Sequence, residues 1–424
     1  MIATFTDWTQ SRSVPSMGTN AGAPVLAFQE WRHFKEAYTP ELVARAVAES
    51  TIRVRRCLDP FGGSGTTALA CQFLGVHPIT AEVNPFLADL IEAKLTTYDA
   101  DAMVRDLGRV LRMAVRNRES ARLILPASAP STMVEPGSGG RWIFDAEVGK
   151  RLGALREAIS AVNDERHQRL LRVLLGGILL GVSNVVVNGK GRRYRRNWKE
   201  YRADKTNVEQ LFSDAVRLAV TDIHQFSNRK CLSFDVIRGD ARHELSSLPT
   251  CDAAIFSPPY PNSFDYTDVY NIELWALGYL DGRAANRTLR QSTLCSHVQI
   301  DRTYPQPPLG SKTLKDVLNG LSSAREKLWH RQIPAMVGGY FADLISVISG
   351  VRSILHEKGK IWMVVGDSRY ADVVVPTAQI LRELASSAGL RVSNIEPFRS
   401  MRASAQQGGQ YELSESLLIM NPSP

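Results

Sequence analysis

The chain has 424 residues, 44% of them hydrophobic, and sets 51 Lys and Arg against 43 Asp and Glu for a formal charge of +8. That length allows two or three domains around a large buried core, and the basic excess favours an acidic partner, nucleic acid first. Five scattered cysteines (Cys57, Cys71, Cys231, Cys251, Cys295) include no CxxC pair, so neither a disulfide framework nor a zinc site follows. The first seven residues lack the basic start and apolar core of a signal peptide. The longest apolar run, 173–187, is 15 residues, short of the roughly 20 that span a bilayer, and reads as a buried helix. The expectation is a soluble cytoplasmic enzyme that handles a polyanion.

In chain order, 52–58 alternates like a strand, Asp59-Pro60-Phe61-Gly62-Gly63-Ser64-Gly65 is a turn, and 66–75 fits a helix. Residues 76–82 form a second strand ending in Glu82, after which Asn84 and Pro85 supply a cap and a first-turn proline. From 101 to 231 the pattern is mainly helical, with a Pro/Ser/Gly-rich connector at 126–140 and helix from 152 towards 187. The α/β pattern returns at 234–240 and in the apolar run 253–256, which ends in Ser257-Pro258-Pro259-Tyr260. A polar interruption spans 281–334. Beyond it, 344–356 and 375–389 read as helices and 360–366, 390–395 and 416–420 as strands. The division is a tail at 1–24, an α/β core at 25–100, 232–280 and 335–424, a helical insertion at 101–231 and a second insertion at 281–334.

Strand, glycine-rich turn, helix, strand, acid is a nucleotide-binding order. The glycines let the backbone approach a ligand, and the next helix offers its N-terminus. Gly65 is followed by Thr66-Thr67 with no lysine, which disfavours a triphosphate loop. The spacing Phe61-x-Gly63-x-Gly65 suits a nucleoside with a compact tail. Glu82 is placed to accept from ribose hydroxyls, and Asp240 to read an adenine amine; the bland alternative makes both acids helix caps. At Ser257 two consecutive prolines stop the strand and remove backbone donors. A hydroxyl, free carbonyls and a tyrosine ring at one strand end suit a planar group bearing an amine, such as a nucleobase.

Asp59 to Thr67 together with Ser257-Pro258-Pro259-Tyr260 resembles the S-adenosylmethionine-dependent DNA amino-methyltransferases. The segments 28–36 and 40–43 are similar to that family's N-terminal cofactor motif, where an aromatic and a lysine, here Phe34 and Lys35, lie near the methionine part. The resemblance covers roughly 25–100 and 232–424. It implies a Rossmann-like, seven-stranded, mostly parallel methyltransferase sheet with two insertions. By carry-over, Asp59, Pro60, Phe61, Gly63, Gly65, Thr66 and Thr67 line S-adenosylmethionine, Glu82 takes its ribose, and Asp240 with Ala241 its adenine.

An exocyclic amine is a poor nucleophile because its lone pair is conjugated with the ring. The Ser257 oxygen and Pro258 carbonyl can each accept one N–H as charge develops, Pro259 keeps the loop out of regular structure, and Tyr260 can stack on the base. A duplex target must be flipped out; Phe264, Tyr266 and Tyr270 are further stacking candidates or core residues. The proton is expected to leave to water, and no metal is required. In the family, Asp in the first motif position goes mostly with adenine N6 and Ser with cytosine N4, so Ser257 favours cytosine N4 with adenine N6 the alternative. Transfer to cytosine C5 would need a thiolate, and Cys71 and Cys251 read as core.

Lys190, Arg192, Arg193, Arg195, Arg196, Lys199 and Arg202, interleaved with Tyr194, Trp198 and Tyr201, suit phosphate contacts, or else form a solvated face. The second insertion, with Arg283, Arg287, Arg290 and His297, is the other candidate reader of double-stranded DNA. A cognate restriction endonuclease is a candidate partner. Rival readings are an RNA or protein methyltransferase, against which Ser257 argues, and an inactive DNA-binding subunit, against which the intact glycines, Glu82 and Asp240 argue.

Overall fold

The computed structural model describes residues 2–14, 17, 25–32, 37–188, 191–200, 208–262, 265–402 and 412–423. Seven strands form the central sheet: β1 (Arg56–Asp59), β2 (His77–Glu82), β3 (Asp235–Arg238), β4 (Cys251–Phe256), β5 (Leu355–Gly366), β6 (Leu390–Arg402) and β7 (Glu412–Pro422). Their order is β6-β7-β5-β4-β1-β2-β3. β7 runs antiparallel to both its neighbours, and the other pairings are parallel. This is the Rossmann-like, seven-stranded, mostly parallel methyltransferase sheet.

The central strands are apolar on both faces, as parallel strands covered by helices must be. Cys57, Ala253, Ile255, Trp362 and Leu417 point into one core, with helices Pro40–Ala48, Thr66–Leu74 and Pro85–Leu95. Leu58, Ala254, Phe256, Met363 and Leu418 point into the other. There the helix Ile333–Ile354 buries Met336, Tyr340, Phe341, Leu344 and Val347. By length and composition this helix could cross a bilayer, but its apolar side chains are spent on the sheet.

Local signals set the element ends. Asn84 caps Pro85–Leu95 by accepting from Phe86 N at 3.0 Å, and Gly65 (φ 78°) and Gly75 (φ 80°) bracket Thr66–Leu74 in the left-handed region that glycine tolerates. β1 begins at Arg56 rather than 52, because pairing with β2 starts there, at His77, and pairing with β4 one residue later, at Cys57. The expected single helix through 173–187 is corrected. The helix Glu165–Ile178 stops near Gly176 and Gly177, and Val185–Asn188 pairs with Gly191–Tyr194 in a hairpin. Gly181, Ser183 and Asn184 interrupt the run, and three consecutive β-branched valines favour the strand.

The 101–231 stretch contributes helices Ala146–Ser160, Glu165–Ile178 and Val208–Gln225, and the helix Ala100–Asn117 packs with them in the first core. From the last helix, buried Asp222 accepts the Phe28 backbone N–H at 2.7 Å and the Trp31 indole N–H at 2.8 Å. Arg32 pairs with buried Glu273 at 2.7 Å.

Candidate active site

Strand order reverses between β1 and β4, and a crevice opens at the carboxyl ends of the strands flanking such a switch point. A cavity of about 350 Å³ lies there, lined from β1 by Asp59, Pro60 and Phe61, from β2 by Glu82, from the end of β3 by Asp240 and Ala241, and from β4 by Ser257, Pro258, Pro259 and Tyr260. Gly63, Thr66 and Thr67 complete one wall. Gly65 instead shapes the turn, its N–H bonded to Gly62 O at 2.8 Å. The glycine turn and the Ser257 loop, far apart in sequence, thus share one cavity, as the two halves of one site should.

The turn is built tightly. A Cβ on Gly62 would collide with Thr80 Cγ2 and lie 2.6 Å from Ile91 Cδ1. Gly63 adopts φ 52° and donates to Glu82 Oε2 at 2.8 Å, while Asn84 N donates to Oε1 at 2.8 Å. Each carboxylate oxygen keeps a further lone pair for the cavity. Lys94, buried, donates to Ser64 O at 2.8 Å. Burial pushes the Glu82 carboxyl up to about 7 and the Asp59 carboxyl up to about 7, and pushes the Lys94 ammonium down to about 7. Asp59 accepts from Phe61 N at 2.9 Å.

The two readings of the acids separate here. Asn84 does the capping beside Glu82, whereas Asp240 does cap the short helix Ala241–Glu244, accepting from Arg242 N at 3.0 Å. Asp240 also lines the cavity and is held by the Arg242 guanidinium, which reaches Asp343 at 2.9 Å.

At β4, Ser257 Oγ donates to Val364 O at 3.0 Å or to Tyr260 Oη at 3.3 Å. Tyr260 Oη donates to Glu415 Oε1 at 2.7 Å, and Tyr370 pins the following loop through Pro261 O at 2.7 Å. Phe34 and Lys35 lie outside the described residues, as do Phe264, Lys190 and Arg202. Tyr270 is buried, under Arg32 and beside Phe86, and lines the cavity.

Sequence reasoning missed several lining residues, and named His297 only as a candidate DNA contact. Tyr38 bonds Thr67 Oγ1 and Ile255 O. Ser292, Thr293, Ser296 and His297 bring the second insertion onto the cavity wall. His297 is buried 3.6 Å from Asp265, which also binds Arg290, and burial holds the imidazole down at about 4. Glu415 comes from β7; the available signal was an acid entering an apolar strand.

The basic cluster divides. Arg195 turns inward, donating to Ser183 O at 3.0 Å and Leu180 O at 2.9 Å. Arg193, Arg196 and Lys199 are exposed and Arg192 half-buried. Tyr194 and Trp142 each lie 5.0 Å from Trp198, giving the segment an aromatic base. The Gly191–Tyr194 strand packs against the helix Tyr266–Val269, just beyond the catalytic-loop candidate.

The fold is therefore that of a methyltransferase, and known proteins bear on the kind. No family model matches the chain. It is 24% identical over 440 residues to the Type II methyltransferase M.BsoBI of Geobacillus stearothermophilus and 25% identical over 421 residues to the Type II methyltransferase M.AvaI of Anabaena variabilis, covering 91% of this chain and 83% of the relative in each case. A 74-residue stretch is 31% identical to the Type II methyltransferase M.MjaII of Methanocaldococcus jannaschii, over 18% of this chain and 14% of that one. Among solved structures, TrmN of Thermus thermophilus aligns with a TM-score of 0.30 at 12% identity, over 93% of this chain and 52% of that one. The glycopeptide N-methyltransferase MtfA with S-adenosyl-L-methionine aligns with a TM-score of 0.28 at 8% identity, over 92% and 90%.

Proposed function

We propose that the chain is an S-adenosylmethionine-dependent DNA methyltransferase that modifies an exocyclic base amine, cytosine N4 in preference to adenine N6. The observation that carries this is that the glycine turn with Glu82 and the Ser257-Pro258-Pro259-Tyr260 loop open into one cavity. Relatives named Type II methyltransferases over most of the chain support it, and the identity of Ser257 favours cytosine through the family resemblance.

The cavity suits the cofactor. Gly62 leaves no space for a side chain, Gly63 adopts a conformation that glycine tolerates, and Glu82 keeps lone pairs for two hydroxyls. S-adenosylmethionine supplies an electrophilic methyl group on a sulfonium. Asp59, Phe61 and the Thr66–Thr67 helix start surround it, and Asp240 with Ala241 reads its adenine. Ser257 has its hydrogen committed to Val364 O or Tyr260 Oη, so its oxygen accepts an N–H of the flipped base. That contact strengthens as the nitrogen loses its conjugation.

Labelled-methyl transfer to duplex DNA, RNA and protein, followed by nucleoside analysis, tests the reading. The expected product is N4-methylcytosine in DNA. N6-methyladenine would move the assignment to the alternative base, and label confined to RNA or protein would overturn it.

The hairpin beside the catalytic loop is the proposed DNA-reading element of the 101–231 insertion. Because Arg195 holds backbone carbonyls, its neighbours are the phosphate candidates. Replacing Arg192, Arg193 and Arg196 together with Gln should reduce the slope of log affinity against log salt by about 2 to 3, since each lost phosphate contact removes about 0.9. Fluorescence titrations across a salt series check this; an unchanged slope removes the hairpin from the interface. A restriction endonuclease of matching specificity remains the candidate partner.

A further inference from the structure

Glu415 lies in β7, in the run Glu412-Leu413-Ser414-Glu415-Ser416-Leu417-Leu418, between Gly366 of β5 and Arg399 of β6. It is 2% exposed. A carboxylate in such a place is costly unless its bonds compensate. One of its bonds goes to the catalytic loop: Oε1 accepts the Tyr260 hydroxyl at 2.7 Å, and Tyr260 Oη lies 3.3 Å from Ser257 Oγ. Ser257, Tyr260, Val364 and Glu415 all border the same cavity.

The direction of these bonds follows from the donors available. The Tyr260 O–H donates to Glu415 Oε1. The phenol oxygen is then left with lone pairs only, and it can receive the Ser257 O–H but cannot donate to Ser257. The second partner of Ser257, Val364 O, is likewise an acceptor. Both neighbours therefore draw the serine hydrogen away from the cavity, and the lone pairs of Oγ face it.

We propose that Glu415 is a positioning residue for methyl transfer, acting through Tyr260 to keep Ser257 as a hydrogen-bond acceptor towards the target amine. This rests on the reading of the site as an amino-methyltransferase. It gives Tyr260 a role beyond stacking. In Glu415→Gln the side-chain amide donates to Tyr260 Oη, which turns the Tyr260 O–H towards Ser257 and occupies the lone pair that the amine needs. In Tyr260→Phe the ring stays and the link is cut.

The test compares wild type, Glu415→Gln, Tyr260→Phe and the double variant by single-turnover methyl transfer to duplex DNA, with cofactor and DNA dissociation constants from calorimetry. The expected result is a fall of about 30-fold in the single-turnover rate for each single variant, on the scale of losing one aligned polar group. Both dissociation constants should stay within about twofold. The double variant should be no slower than the slower single one, because both changes break one chain. A double variant showing the product of the two effects, a loss explained by binding alone, or wild-type rates in Tyr260→Phe overturns the proposal, and that last measurement decides even if Glu415→Gln fails to fold. Wild-type protein without methyl transfer to DNA overturns the functional reading as well, whereas active wild type with unaffected variants overturns only the role of Glu415.

Discussion

Ser257→Ala is expected to bind S-adenosylmethionine with near-wild-type affinity while losing methyl transfer by about 100-fold to 1,000-fold, the range for removing one aligned hydrogen-bonding group from a transition-state site. The selectivity follows from geometry. Ser257 sits where β4 ends, its hydroxyl bonded to Val364 O and Tyr260 Oη, whereas the glycine turn rests on Glu82, Thr80 and Lys94. Alanine also fits the backbone between Phe256 and Pro258, so little folding energy is at stake. Single-turnover kinetics beside calorimetry separates the two quantities. Retention of most activity would mean that the amine is held elsewhere, and a parallel loss of cofactor affinity would mean that Ser257 belongs to the cofactor half.

Glu82→Gln is expected to weaken S-adenosylmethionine binding by about 30-fold to 100-fold, with duplex DNA affinity unchanged. Both carboxylate oxygens of Glu82 already accept backbone N–H groups, from Gly63 and Asn84 at 2.8 Å each. An amide can serve only one; its NH₂ would face the other donor, and leaving a buried donor unsatisfied costs about 1–3 kcal/mol. The turn that shapes the cavity is therefore disturbed together with the ribose contact. Protonation has a related effect. Glu82 and Asp59 both titrate at about 7 because they are buried, and an acceptor of ribose hydroxyls serves best ionised. Binding then releases protons, so affinity should fall as pH drops from 8 to 6, by up to about tenfold per group. Glu82→Gln should flatten its share of that dependence. The ligand-free fold behaves oppositely. A raised carboxyl keeps its proton after the unfolded chain, near 4.5 for Glu, has lost it. Stability without ligand should therefore decline between about pH 4.5 and 7. Calorimetry and thermal melts across that range check both signs.

The core was legible because its signals are local. A cap and a proline at Asn84-Pro85, glycines at the turn and a proline pair after an apolar run each act within a few residues, and the strands they delimit appear in the sheet. The seven-stranded, mostly parallel sheet and the shared site followed from family resemblance, since periodicity carries no information on neighbours. Glu415 was out of reach for that reason: it is brought to Tyr260 across 155 residues by β7 running antiparallel between β5 and β6. The wall supplied by Thr293 and His297 was hidden similarly, because a polar insertion shows nothing of what it packs on. The helix expected through 173–187 failed on composition: apolar content marked burial correctly, but three valines after Ser183-Asn184 belong to a hairpin. Arg195 shows the limit of charge counting, since a cation in a basic run can be fully engaged with carbonyls.

Asp222 makes the two parts of the chain inseparable in a practical sense. Its carboxylate, from the last helix of the 101–231 stretch, anchors Phe28 and Trp31, a segment that precedes the first strand of the sheet. The stretch is thus no cassette clipped onto a finished catalytic core. Grafting another insertion between β2 and β3 would strip the leading segment of its anchor, whatever sequence the new piece read. A transplant that preserves the core has to bring its own acceptor to that spot, because the seating of the N-terminal segment depends on it.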